Sequence, residues 1–295
     1  QLPIDALRLE RHTLAVSVML LGFVAIHLHV GDSLLHKPEE GQSGLFSGIH
    51  YLAEYAVMTL PILLFLARQG RPLMRVLMIL ALAGDLWLLL ESRSRPGYLA
   101  MLASAFVIVP FTAPRIRWRF AALLLAGIGA LYFGRISDFA ARLDDLAANF
   151  QRDERWEIWL EALHLQQRSS WLQWLFGHGL GQYGLDYQAT AATHGIIFYL
   201  APHNFVMEIL YSHGLMGLAV IGFGYGGFLA HLASITRHQP AGVRQRFGLM
   251  LLSVATAQLV HGYFTIPFFS RDYLIPLGLL LGVSFVYGSS ARSDG

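Results

Sequence analysis

Long apolar stretches alternate with short polar ones along most of the chain. Crossing a hydrocarbon layer of about 30 Å takes about 20 apolar residues in a helix, so about eight membrane spans are expected. They fall near Thr13 to Val30, Ile49 to Ala67, Leu73 to Leu90, Gly97 to Thr112, Trp118 to Gly134, Gly214 to Ile235, Phe247 to Phe268 and Tyr273 to Tyr287. One long segment, 152–217, breaks the alternation. It holds five of the 13 histidines and is flanked on both sides by apolar helices. The expected organisation is therefore five spans in 1–134, a large loop in 135–213 and three spans in 214–295. The fold class is all-α integral membrane, a polytopic helical bundle with one large external loop carrying helices of its own.

Composition agrees. The chain is 55% hydrophobic and 14% charged, where a soluble domain carries about 25% charged residues. A net charge of +2 and scattered arginines give no basic face, so nucleic acid is not an expected partner. With no cysteine, disulfides, thiolate metal sites and a cysteine nucleophile are excluded. A start at Gln1 without an apolar leader suggests a processed or clipped product.

Arginine placement orients the spans. Arg8 and Arg11; Arg68, Arg71 and Arg75; Arg115, Arg117 and Arg119; Arg237, Arg244 and Arg246; and Arg292 all occupy alternate loops, on one side of the expected bundle. By the excess of basic residues on the inner face, that side is cytoplasmic and the 135–213 loop faces outward. Intramembrane ionisable groups then gather toward the outer leaflet: Glu54, Asp85 and His261, with Gln258. A charge in hydrocarbon costs about 2.5–3.5 kcal/mol even on the mildest scale, so such a group pairs with another helix or lines a wet cavity. Both readings are open for Asp85.

Four further features carry candidate chemistry. The hairpin around Glu91 to Gly97 sets Arg93 and Arg95 at a helix mouth, where they either snorkel to headgroups or hold an anion. In RWEIWLEAL the apolar Trp156, Trp159, Leu160 and Leu163 share one helical face, which suits a helix at the membrane surface, with Arg155 on its flank. Gly179, Gly181 and Gly184 satisfy GxGxxG without the strand–turn–helix setting of a dinucleotide site, leaving a plain turn or a backbone cradle for a ligand. Pro202, His203 and Asn204 begin a helix with Glu208 inside it, and a histidine there can serve as a general base. The chain has no HExxH, no P-loop and no GxSxG.

Three of these pieces together resemble the O-antigen ligase and polymerase superfamily, the multi-span bacterial enzymes of surface polysaccharide assembly. They are Ser94-Arg95-Pro96-Gly97-Tyr98-Leu99-Ala100, matching S-R-x-x-x-L-A; Arg155-x-x-x-Trp159 followed by Gly177-x-Gly179-x-Gly181; and His203-Asn204-x-x-x-Glu208 followed by Gly214-Leu215-x-Gly217-Leu218. The resemblance implies a GT-C-like glycosyltransferase in the bacterial inner membrane, open to the periplasm. Its donor would be a glycan on undecaprenyl diphosphate and its acceptor a hydroxyl of lipid A-core, with inversion at the anomeric carbon and no metal or other cofactor. By the family pattern Arg95 and Arg155 would hold the diphosphate and His203 would bind or deprotonate the acceptor. Arg93, Asp85, Trp159, Gly179, Gly181, Asn204 and Glu208 complete the expected substrate-binding set. Relatives of this kind usually have more spans, which suggests either that an N-terminal portion is missing or that this is a shortened relative. A polymerase, a protein-glycosylating ligase and, from another class, a transporter built on Glu54, Asp85 and His261 remain alternatives.

Overall fold

A computed structural model describes residues 49–69, 72–92, 94–108, 154–194, 202–265, 274 and 277–285. Every regular element among them is helical. In chain order these are α1 (Ile49–Gln69), α2 (Pro72–Glu91), α3 (Arg95–Ile108), α4 (Glu154–Gln167), α5 (Trp171–Phe176), α6 (Gln182–His194), α7 (Phe205–His238) and α8 (Val243–Thr265). Residues 277–285 are helical as well. Spans expected near 13–30 and 118–134 lie outside the described residues, as does Arg93. Two of the described helices, α7 and α8, combine the length and apolarity needed to cross a membrane, with mean hydropathies of 1.6 and 1.4. A helical membrane protein fits this, and the expected total of about eight spans extends beyond what the described residues cover.

Helix α8 is central. Its buried run from Gly248 to His261 packs against α1, α3 and α7. At one end Leu63, Phe65 and Leu66 of α1 and Met78 of α2 meet Leu232 of α7 and Met250 to Leu252 of α8. At the other end Ala53, Ala56 and Val57 of α1, Leu89 of α2, Ala100 of α3 and Ala257 of α8 form a second cluster. Small residues there let the backbones approach, as they do between helices that have no hydrophobic drive to associate. The pairings make α8 antiparallel to both α1 and α3. Consequently Arg68, Arg75, Arg237, Arg244 and Arg246 all lie toward the first end, as the alternate-loop pattern requires.

Helix α7 is 34 residues long, about 51 Å, which exceeds the bilayer core of about 30 Å. It is interrupted at Gly214, whose φ of 65° and ψ of −165° are not helical. The segment after Gly214 rises about 36 Å and exposes Leu215, Met216, Val220 and Phe223, so it suffices for the crossing by itself. The first nine residues, 205–213, belong instead to a small layer formed with α4, α5 and α6. Its core is Ile158, Ala162, Tyr183, Tyr187 and Tyr211. Helix α4 turns Ile158 and Ala162 into that core, with Trp159 packed against it, and leaves Trp156 and Leu160 exposed, so the expected tryptophan face is split between the interior and the surface.

Candidate functional site

The turn from α2 into α3 is built by serines. Ser92 Oγ donates to the Leu89 carbonyl at 2.6 Å, and Ser94 Oγ accepts from the Gly97 amide at 3.2 Å, capping α3. Gly97 lies so close to Ala53 and Leu89 that an added Cβ would be 2.9 Å from Leu89 Cδ1. Arg95 is thereby held in the first turn of α3, half-buried, at the positive end of the helix dipole. An anion is the natural complement to a guanidinium in that position, whereas a cation at a helix start is otherwise unfavourable.

The register between α3 and α8 locates Arg95 relative to the rest. Ser253 Oγ donates to the Ser104 carbonyl at 3.2 Å. From that contact, Arg95 lies about 14 Å along α3 and Thr265 about 18 Å along α8, in the same direction. Both therefore reach the end of the bundle opposite the arginine-rich one.

His203 meets α8 at that end. Its Nδ1 lies 3.2 Å from the carbonyl oxygen of Thr265, one of the C-terminal carbonyls that α8 cannot satisfy internally. A carbonyl only accepts, so Nδ1 carries the proton and Nε2 holds the lone pair in the neutral ring. His203 also has a φ of 50°, the only positive value for a residue other than glycine among those described. Such backbone strain gathers at functional positions. Asn204 caps α7, its Oδ1 accepting from the amides of Val206 and Met207 at 3.0 and 3.2 Å. Trp159 Nε1 donates to the Pro202 carbonyl at 3.0 Å, and its ring lies 6.4 Å from that of Phe264. Helix α4 therefore reaches both the start of α7 and the end of α8. Arg155 sits one turn before Trp159 on α4, and its side chain is outside the described part of the structure. Glu208 stands in the first turn of α7, where a carboxylate suits the helix dipole.

Buried polar groups lie beneath this surface. Thr265 Oγ1 donates to the His261 carbonyl at 2.6 Å and lies 3.1 Å from His261 Nδ1. His261, Gln258, Glu54 and Asp85 are all buried between helices. Asp85 accepts from Thr59 Oγ1 at 2.6 Å through Oδ2, and its Oδ1 has no hydrogen-bond partner among the described residues. Asp85 is thus tied to α1 across the helix interface.

The backbone of the glycine-rich loop is tied to the break in α7. The break at Gly214 removes the amide partners that the carbonyls of Tyr211 and Ser212 would have in a continuous helix, and the loop supplies replacements. His178 N donates to Tyr211 O at 2.8 Å and Gly179 N to Ser212 O at 3.0 Å. Gly177 and Gly214, both at positive φ, bring the two backbone segments into direct contact, and a Cβ at either would overlap a carbonyl of the opposite segment. Gly179 and Gly181 also have positive φ, and both face open space.

His178, which the sequence reading did not single out, anchors the loop. Its ring stacks on Tyr211 with centroids 4.2 Å apart. Nε2 lies 2.6 Å from Ser169 Oγ, and Gln173 Nε2 lies 3.4 Å from Nδ1. Because Ser169 also donates to Leu165 O, the set is satisfied by a neutral ring with the proton on Nε2. Asp186 accepts from Tyr211 Oη at 2.5 Å and from Gln182 at 2.9 Å. Burial lowers the pKa of His178, and the Asp186 carboxylate opposes that only in part. Burial, followed by the Asp186 contact, raises that of Tyr211, which keeps its hydroxyl a donor.

A pH dependence follows. Below the ordinary histidine value of about 6.5 the unfolded chain takes up a proton that folded His178 resists, so stability is lost as pH falls through that range. The melting temperature in detergent is expected to drop between pH 7.5 and 5.5, with a smaller slope in His178→Gln. Equal slopes would mean that His178 is not the group responsible.

Residues 76–222 match the family described as O-antigen ligase, a stretch that includes Arg95, Arg155 and His203. Members of that family are membrane-associated, glycosyltransferase-like ligases. No curated protein matches the chain.

Proposed function

Because residues 76–222 place the chain in the O-antigen ligase and polymerase superfamily, we propose that it transfers a glycan from undecaprenyl diphosphate to a hydroxyl of lipid A-core at the periplasmic face. The observation that carries this reading is the convergence of the α3 start, α4 and the α7 start on the C-terminal end of α8, opposite the arginine-rich end. In this scheme Arg95 and Arg155 bind the diphosphate, with the positive end of α3 adding to the field. His203 accepts the acceptor's proton on Nε2 while Thr265 holds the ring by Nδ1. The acceptor oxygen bonds to the anomeric carbon from the face opposite the leaving group, the bond to the diphosphate oxygen breaks, and the configuration inverts. Two guanidinium groups stabilise the charge that develops on the departing diphosphate, so no metal is needed for that step.

Arg155→Ala is expected to lower transfer by about 10²–10³-fold, the usual effect of removing one donor to developing charge. Arg95→Lys keeps a charge but loses the planar fork, and it should retain more activity than Arg95→Ala. The assay is the appearance of polymer-capped lipopolysaccharide in a deletion strain that carries each variant. Normal capping in both alanine variants would overturn the assignment. If the variants instead abolish the lengthened polymer itself, the chain is a polymerase of the same superfamily.

A further inference from the structure

The segment from α5 to the start of α6 has two dissimilar sides. One carries the polar set of Ser169, Gln173, His178 and Asp186 turned toward Tyr211 of α7. The other exposes Trp171 (72%), Leu172, Phe176 (60%), Leu180 (65%) and Leu185. Five large apolar side chains on one short segment are more than scattered surface hydrophobics explain. Their position says what covers them. The backbone of Leu175 and Phe176 rests directly on Gly214, and the next two residues of α7, Leu215 and Met216, open the lipid-facing surface of the crossing. The apolar side of α5 is thus continuous with the membrane-exposed face of α7, at the level where α7 enters the bilayer. Tryptophan at that level is the usual interfacial anchor.

We propose that α5 and the following loop lie in the membrane, with Trp171, Phe176 and Leu180 seated at the headgroup–acyl boundary of the outer leaflet. The occupant of this surface is lipid. Because the loop is joined to α7 through Gly177, His178 and Gly179, the bilayer then sets the height of the whole external layer, including the start of α7 and His203.

The absence of cysteine makes a direct test simple. Single cysteines are placed at Trp171, Phe176 and Leu180, with Phe223 on the crossing as the lipid reference and the exposed His164 of α4 as the water reference. Each is spin-labelled, and the protein is reconstituted in phosphatidylethanolamine–phosphatidylglycerol vesicles. Relaxation by oxygen, which concentrates in lipid, is compared with relaxation by a water-soluble nickel chelate. The expected oxygen-to-nickel ratio at 171, 176 and 180 is severalfold above that at 164 and approaches that at 223. A ratio equal to that at 164 overturns the proposal, because the surface is then wet. Shielding from both reagents also overturns it, because protein then covers the surface. The readout is depth and not transfer, so either result leaves the glycan-transfer reading standing or falling on its own experiment.

Discussion

Replacing His203 by glycine is expected to abolish glycan transfer while the protein folds and inserts as before. Loss of a general base usually costs about 10²–10⁴-fold in rate. Glycine is the informative substitution because His203 sits at a φ of 50°, where alanine would keep the backbone strain and glycine relieves it. His203→Gly therefore separates chemistry from stability: thermal stability at or above the parent's, with transfer lost. Measuring transfer and melting on the same preparation checks both. Parental transfer in His203→Gly would remove the imidazole from the mechanism, and a parallel loss of stability would make its contact with Thr265 structural.

Gly214→Ala is expected to be the most damaging single methyl group in the layer that α4, α5 and α6 form with the start of α7. Its φ and ψ fall in a region that only glycine populates, at a cost of about 1–3 kcal/mol to any other residue. The added Cβ would also overlap the Leu175 carbonyl, and overpacking of that kind costs about 1–3 kcal/mol more. Together these predict a fall in melting temperature of about 10 °C for a chain of this size. Gly177→Ala, which would strike the backbone of Ser212 and His213, should behave alike. Because the two glycines form one contact, the double variant should cost less than the sum of the singles. By contrast, Gly179 and Gly181 face open space, so alanine there carries only the backbone term. A Gly214→Ala protein that melts with the parent would show that α5 does not depend on the break in α7.

Both predictions depend on partners that are distant along the chain, and the same distinction separates what was legible in the residues from what was not. The apolar runs expected at Ile49 to Ala67 and Leu73 to Leu90 end within two residues of the observed helices, since a helix in lipid must satisfy its own backbone and needs no partner to be recognised. The start of α7 was legible from Asn204, because a cap acts on amides two and three residues away. The span expected to follow the 135–213 loop opened at Gly214. The structure places a break there within one long helix, because the freed carbonyls find new donors in the loop. His178 escaped notice because, besides Ser169 and Gln173, its place is defined by stacking on a tyrosine 33 positions away. The one local hint was a histidine set between glycines.

The residues by themselves determined the helical class, the sidedness of the arginines, the helix start at Asn204 and the motifs that tie the chain to its superfamily. The first three follow from short-range backbone chemistry or from the cost of polar groups in lipid, and the motifs count by their resemblance to a known family. Only the tertiary structure decided which histidine nitrogen carries a proton at position 203, and that the glycine-rich loop spends its amides on a broken helix. It also decided that the backbone of α5 rests on the break in α7 at Gly214. These outcomes depend on carbonyls and surfaces contributed by segments up to 62 residues apart, and a backbone carbonyl has the same chemistry whatever residue carries it.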